Sequence, residues 1–148
     1  MLAIYKFLFP YKPDDTAMSS LLLAFRILFG FLLLSHGLQK LVNFSVMSGS
    51  FPDPLGMGGS VSLGLAIFAE MFCSIAFILG LLYRLVLIPM IFTMGVAFFI
   101  IHGNDPFAVK ELAFVYLAVF VIMYIAGPGK FSLDRMIAVA IRKGSKVK

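Results

Sequence analysis

Arg26 and Glu70 are the residues a bilayer would tolerate least. Each lies inside a run of Leu, Ile, Phe, Ala and Met. An ionisable group at such depth is expensive enough to call for a partner and a purpose. At 1.5 Å per helical residue, Arg26 sits roughly 9 Å from one end of its run, and Glu70 roughly 15 Å from the opposite end of its own. The long arginine side chain closes most of that gap, so the expectation is an Arg26–Glu70 ion pair or a water-bridged contact. A protonated Glu70 is the alternative, since burial without a partner disfavours the charged form. Such a pair could also fix helix register and do no chemistry.

A second set gathers towards one end. His36, Gln39 and Lys40 share one apolar run, His102 ends another, and Glu111 opens a third. Tyr116 lies about 7.5 Å further in than Glu111 at helical rise. Together they could bind a polar head group and trade protons with it. A quinone carbonyl accepts hydrogen bonds from His, Lys or Tyr, and a carboxylate from Lys or His. The plainer reading is a set of interfacial side chains reaching for water. Two histidines at matched depth also raise a b-type haem held between helices. A metal site from His36, His102 and Glu111 lacks a spacing signature, and none is expected. Cys73 is the only cysteine. It excludes an intrachain disulfide and dithiol chemistry, and reads as a small hydrophobe.

The surrounding sequence says what must position these groups. The 148 residues are 61% hydrophobic and 13% charged, against roughly 25% charged for a soluble domain. That composition cannot coat a soluble globule, and it excludes disordered, collagen-like and disulfide-rich secreted classes. Spanning helices are expected over about Ser20–Phe44, Ser60–Leu82, Leu85–His102 and Ala108–Ala126, each close to the length of about 20 residues that a bilayer requires. The fold expected is all-α: a polytopic membrane protein, an antiparallel bundle of four transmembrane helices with a short amphipathic C-terminal helix.

Along the first span, Arg26, Gly30, Leu33, Gly37 and Lys40 recur at steps of four and three and share one stripe. Its two glycines invite close approach of a neighbour, so this stripe should face the bundle interior. The connector from Phe51 to Gly59 carries Pro52, Pro54 and three glycines, and should fold over the mouth of the bundle without regular structure. Pro89 is expected in the first turns of the third span. After Gly127-Pro128-Gly129, Ser132 should cap a helix with Leu133, Met136, Ile137, Ala140 and Ile141 on one side.

Of the 12 basic residues, nine fall towards one end of the bundle: Lys6, Lys12, Arg84, Lys130, Arg135, Arg142, Lys143, Lys146 and Lys148. Only Lys40 and Lys110 fall towards the other. By the positive-inside rule both termini are cytoplasmic. Residues 1–17 should form an interfacial segment, not a signal peptide, because no basic stretch precedes their apolar residues. Residues 18–129 form the transmembrane domain, and 130–148 a basic amphipathic tail suited to an anionic leaflet. The net charge of +5 is explained by that tail, and nucleic acid is not an expected partner. A homo-oligomer and a soluble redox partner are open expectations.

Arg26 followed by Gly30, His36-Gly37-x-x-Lys40, Glu70 followed by Gly80, Arg84, Glu111 and Gly127-Pro128-Gly129-x-x-Ser132-Leu133-Asp134 together resemble the DoxX family. The resemblance covers about residues 18–135. It implies a small four-helix bacterial inner-membrane protein. Relatives include the membrane subunit of a thiosulfate:quinone oxidoreductase and members tied to thiol redox and oxidative stress. Arg26, His36, Lys40, Glu70 and Glu111 would be the family's intramembrane polar residues. The expected function is a membrane subunit of a quinone-linked oxidoreductase system. With neither a dithiol nor a nucleotide motif, electrons would need a bound quinone, a haem or a partner subunit. The alternatives are a small-molecule or ion transporter, and a non-catalytic scaffold for a redox complex.

Overall fold

The structure, a computed structural model, describes residues 15–145. Six helices follow in order: α1 Thr16–Val42, α2 Phe44–Met47, α3 Gly59–Leu79, α4 Tyr83–Ile101, α5 Phe107–Ala126 and α6 Leu133–Ser145. No strand occurs among the described residues. Four helices, α1, α3, α4 and α5, are long and apolar enough to cross a membrane, and they form the expected antiparallel bundle. The interfacial segment expected before Thr16 lies almost entirely outside the described residues.

The bundle is built outside-in, as lipid requires. Phe31, Phe92, Ile122 and Ile125 are each more than half exposed, while Ser74, Arg26, Glu70 and Asp134 are buried. Inside, Phe77 stacks on Tyr83 with ring centroids 5.5 Å apart and meets Phe120 edge-on at 5.5 Å. Tyr116 stacks on Phe120 at 5.7 Å and takes the edge of Phe29 at 6.0 Å. These rings form a dry aromatic layer across the bundle.

Helix α3 packs against both α1 and α4, and α4 packs against α5. The α1–α3 seam is close because of the two glycines on the α1 stripe. A Cβ at Gly30 would meet Ile78 at 2.3 Å, and one at Gly37 would meet the Glu70 carbonyl carbon and the Met71 nitrogen, each at 2.8 Å. Between α1 and α5 the contact is made by rings, through Phe29 and His36 against Tyr116. Two departures from α geometry were not legible in the sequence. Phe68–Phe72 in α3 and Ala97–Ile101 at the end of α4 are π turns. Pro89 lies in the second turn of α4, inside the helix.

The end holding the α3–α4 turn (the tail end) is fastened by two buried charges. Gly80 closes α3 at φ 66°. The Arg26 guanidinium lies against it, with Nη2 at 2.8 Å from where a Cβ would stand. From there Arg26 donates to the carbonyls of Phe77, Ile78, Pro128 and Phe131 at 2.5–3.1 Å. Two of these lie in the last turn of α3, where carbonyls run short of helical partners, although Phe77 also accepts from the Gly80 N–H at 3.1 Å; a cation there also meets the negative helix end. Asp134 does the reverse for α4, accepting from the Leu82 and Tyr83 N–H groups, both at 2.8 Å. Its own N–H donates to the Gly80 carbonyl at 3.0 Å. This grip holds Leu82 at φ 46°, a left-handed conformation rare for a branched residue. Ser132 accepts from the Arg135 N–H at 3.2 Å, the cap expected for α6.

Candidate functional site

Glu70 sits in the π turn of α3. The extra residue in that turn brings Ala69 and Glu70 inward together, at 1% and 5% exposure. Gly37 lets the α1 backbone press onto this turn. One turn further along α1, Lys40 Nζ reaches Glu70 Oε2 at 2.6 Å.

The expected Arg26–Glu70 pair is therefore not formed. The reason is the direction in which helical side chains lean. Every Cα–Cβ bond tilts towards its own helix N-terminus. Helices α1 and α3 run in opposite directions, so Arg26 leans to the tail end and Glu70 leans to the other end, where the long connector lies. Those two diverge. Lys40 leans back into the bundle as Glu70 leans up, and they converge. Arg26 instead finds four carbonyls, which satisfy a guanidinium without any anion.

Two cavities meet at the Lys40–Glu70 pair. One, of about 450 Å³, lies between α3 and α4 beneath the connector. Its walls are apolar, with Leu65, Ala66, Phe92 and Val96 among them, and Phe51, Pro54, Leu55 and Met57 roof it. Leu65, Phe68 and Phe92 at its rim are at least half exposed on the lipid-facing surface. The other, of about 220 Å³, lies among α1, α4 and α5 and is lined by His36, Met94, Leu112, Ala113 and Tyr116. Lys40, Glu70, Ala97 and His102 line both. The ion pair is thus part of the wall between them.

Of the residues expected to bind a ligand, His36, Lys40, Glu70, His102 and Tyr116 are brought together around these cavities. Arg26, Gln39 and Glu111 are not. Arg26 is committed to the tail end, and Gln39 and Glu111 are exposed outside the cavity walls. For Glu111 the early turns of α5 turn Ala113 to the cavity, with Val109 and Leu112 at its open edge, 56% and 54% exposed. Among the described residues no three His, Cys, Asp or Glu side chains converge to hold a metal ion. The space shared by His36 and His102 is below the roughly 300 Å³ at which small-molecule pockets begin. It suits a small polar group, not a haem macrocycle.

Two residues, Asp105 and Asp53, were missed in the sequence. His102 Nδ1 is hydrogen-bonded to Asp105 Oδ2 at 2.8 Å, which leaves Nε2 as its free position. Asp53 organises the roof. It accepts from the Met57 and Gly58 N–H groups at 2.9 and 2.7 Å and from the Ser62 hydroxyl at 2.8 Å. An Asp followed by Pro, three glycines and a Ser is the available signal, because such a carboxylate can gather the turn's backbone donors.

Those donors, Gly58 foremost and then Ser62, hold the Asp53 carboxyl below its ordinary value, about 3.9. A depressed acid contributes order that is complete above the ordinary value and is lost as pH falls through the folded one. Amide protection at Met57 and Gly58, corrected for intrinsic exchange, should be flat from about pH 7 to about 5 and should collapse below about 4. Asp53→Asn should remove that dependence; an unchanged profile in the variant would disprove the role.

These features define a multi-pass membrane protein whose few charged groups turn away from lipid. The chain belongs to the DoxX family, which it matches over residues 21–103. That range takes in Arg26, Gly37, Lys40, Glu70, Gly80 and His102, and ends before α5. No curated protein and no solved structure matches the chain.

Proposed function

We propose that the chain is the membrane subunit of a quinone-linked oxidoreductase system and that the α3–α4 cavity receives the quinone. The observation that carries this reading is the Lys40–Glu70 pair on the wall of an otherwise apolar cavity whose rim faces lipid. A lipophilic molecule could enter from the bilayer and find one polar terminus. At about 450 Å³ the cavity falls within the roughly 300–1,000 Å³ of ligand sites.

The residues present fit such a ligand. Lys40 keeps ammonium protons beyond the one given to Glu70 and can donate to a carbonyl oxygen. His102, oriented by Asp105, can donate from Nε2. Glu70 can accept or return a proton while Lys40 steadies its charge. A bound quinone would supply the two-electron chemistry, and a soluble partner would supply the electrons. Phe51, Leu55 and Met57 in the roof exclude water from the ligand. In this reading the protein sits in a bacterial inner membrane with the tail end cytoplasmic. The apolar side of α6 and the adjacent Arg142 and Lys143 rest on anionic lipid.

Solvent extraction of protein purified from native membranes, read by absorption and mass spectrometry, tests this. Wild-type protein should retain quinone. Lys40→Met and Glu70→Gln should retain less than about a tenth as much, a loss of at least about 1.4 kcal/mol in binding. Equal retention by all three would reject the reading. The two cavities either side of the ion pair favour a second reading, a transporter gated by that pair. Flux into liposomes that depends on Glu70, with no quinone retained, would select it.

A further inference from the structure

The smaller cavity has a shape the quinone reading does not use. It runs along α5 from Val109 to Tyr116 and along α1 from Lys40 to Leu33, about 10 Å at helical rise. Val109 stands in the first turn of α5, at the connector end, so the cavity enters the bundle from that end. Its floor is closed. Leu33, Tyr116 and Phe120 are 1%, 3% and 0% exposed, and Phe120 continues through Phe77 to Tyr83 in unbroken ring contacts. Below that layer Arg26 and Asp134 fasten the tail end.

The walls, unlike the floor, offer hydrogen bonds. Tyr116 and His36 both line the cavity and meet edge-on through their rings, with centroids 6.1 Å apart. His102 has one ring nitrogen bound to Asp105, which is exposed at the mouth. Lys40 and Glu70 complete the lining. An apolar cavity of this size would stay dry, but water that finds two to four polar partners is stably held. Tyr116, His36, His102, Lys40 and Glu70 supply them.

We propose that this cavity is a one-sided proton well, a short column of water through which Glu70 exchanges protons with solution at the connector end and not at the tail end. In each exchange one proton passes between solvent and the Glu70 carboxylate, and no other bond changes. The groups that face Glu70 are Lys40 and His36 from α1, His102 from α4 and Tyr116 from α5. What the proton is used for rests on the quinone reading, whereas the route does not.

Side-resolved thiol labelling of the full chain in proteoliposomes tests this. In a Cys73→Ala background, Glu70→Cys puts a thiol where the Glu70 Cγ stands, at the foot of the carboxylate, and Ala113→Cys puts one on the wall. The probe is a membrane-impermeant anionic methanethiosulfonate. It reacts with the thiolate, so labelling requires that the thiol has lost its proton to water. Both cysteines should label at least about tenfold faster from the connector side than from the tail side. Adding Ala113→Phe to Glu70→Cys should slow labelling by about tenfold by filling the well. Should Glu70→Cys fail to fold, Ala113→Cys and Leu112→Cys carry the same comparison. Equal rates from both sides, faster labelling from the tail side, or no labelling at either wall position would overturn the proposal. Quinone retention is read separately, so either idea can fail alone.

Discussion

Replacing Arg26 with methionine should cost the bundle on the order of 3 kcal/mol or more, taking about 1 kcal/mol as the least for each of the Ile78, Pro128 and Phe131 carbonyls left without a donor; the Phe77 carbonyl keeps the Gly80 N–H. Methionine preserves the stem's bulk, so the loss is of hydrogen bonds and charge and not of volume. The carbonyls cannot find other donors easily, because Arg26 is 1% exposed and the Gly80 turn closes directly over it. One of them, Ile78, lies at the end of α3, and the other two, Pro128 and Phe131, fix the approach to α6. The damage should therefore spread to Asp134 and the start of α4. Arg26→Lys keeps the charge but not the planar fork, and should recover less than half of the loss. Denaturation in mild detergent, or a melting curve, reads both variants. An Arg26→Met protein as stable as wild type would mean that the guanidinium is not what closes the tail end.

Gly37→Ala should be nearly as damaging, although it adds one methyl group. At 2.8 Å from the Glu70 carbonyl carbon and the Met71 nitrogen, the new Cβ meets backbone and not a side chain that could turn aside. Helices α1 and α3 must separate, at the roughly 1–3 kcal/mol typical of overpacking. The separation also draws Lys40 away from Glu70, so ligand retention should fall with stability. Gly95 lies in an ordinary α stretch with nothing within 4 Å of its would-be Cβ. There the same substitution should stabilise by up to about 1 kcal/mol through helix propensity. Opposite signs for one chemical change, read in a single denaturation series, separate packing from propensity. If both variants shift the same way, the close α1–α3 seam is wrong.

These effects explain what could and could not be read in advance. The four spans were legible because hydropathy alone demands them. The expected Ala108–Ala126 and the observed Phe107–Ala126 differ by one residue, and the expected Leu85–His102 begins two residues after Tyr83 and ends one after Ile101. The inward α1 stripe was legible too, since Arg26, Gly30, Leu33 and Gly37 are all buried. The partner of Arg26 is not legible from Cα depth alone. Over a side chain as long as arginine, the lean towards the helix N-terminus decides which neighbour is met. The π turn that presents Glu70 leaves no mark in the residues Phe68–Phe72, whereas the close approach of α1 at Gly37 lies against it in the fold. Gly127-Pro128-Gly129-x-x-Ser132-Leu133-Asp134 reads locally as a stop and a cap. Its acidic residue's task, capping the start of α4, depends on a contact 51 residues away, and local sequence cannot show that.

The charged groups divide the labour: Lys40 with Glu70 makes the site, and Arg26 makes the fold. A pair of double-mutant cycles on stability tests it most directly. Lys40→Met combined with Glu70→Gln should show a coupling of about 0.5–3 kcal/mol, the range for residues in contact, while Arg26→Lys combined with Glu70→Gln should add to within about 0.5 kcal/mol. Coupling between positions 26 and 70, with none between 40 and 70, would contradict the account.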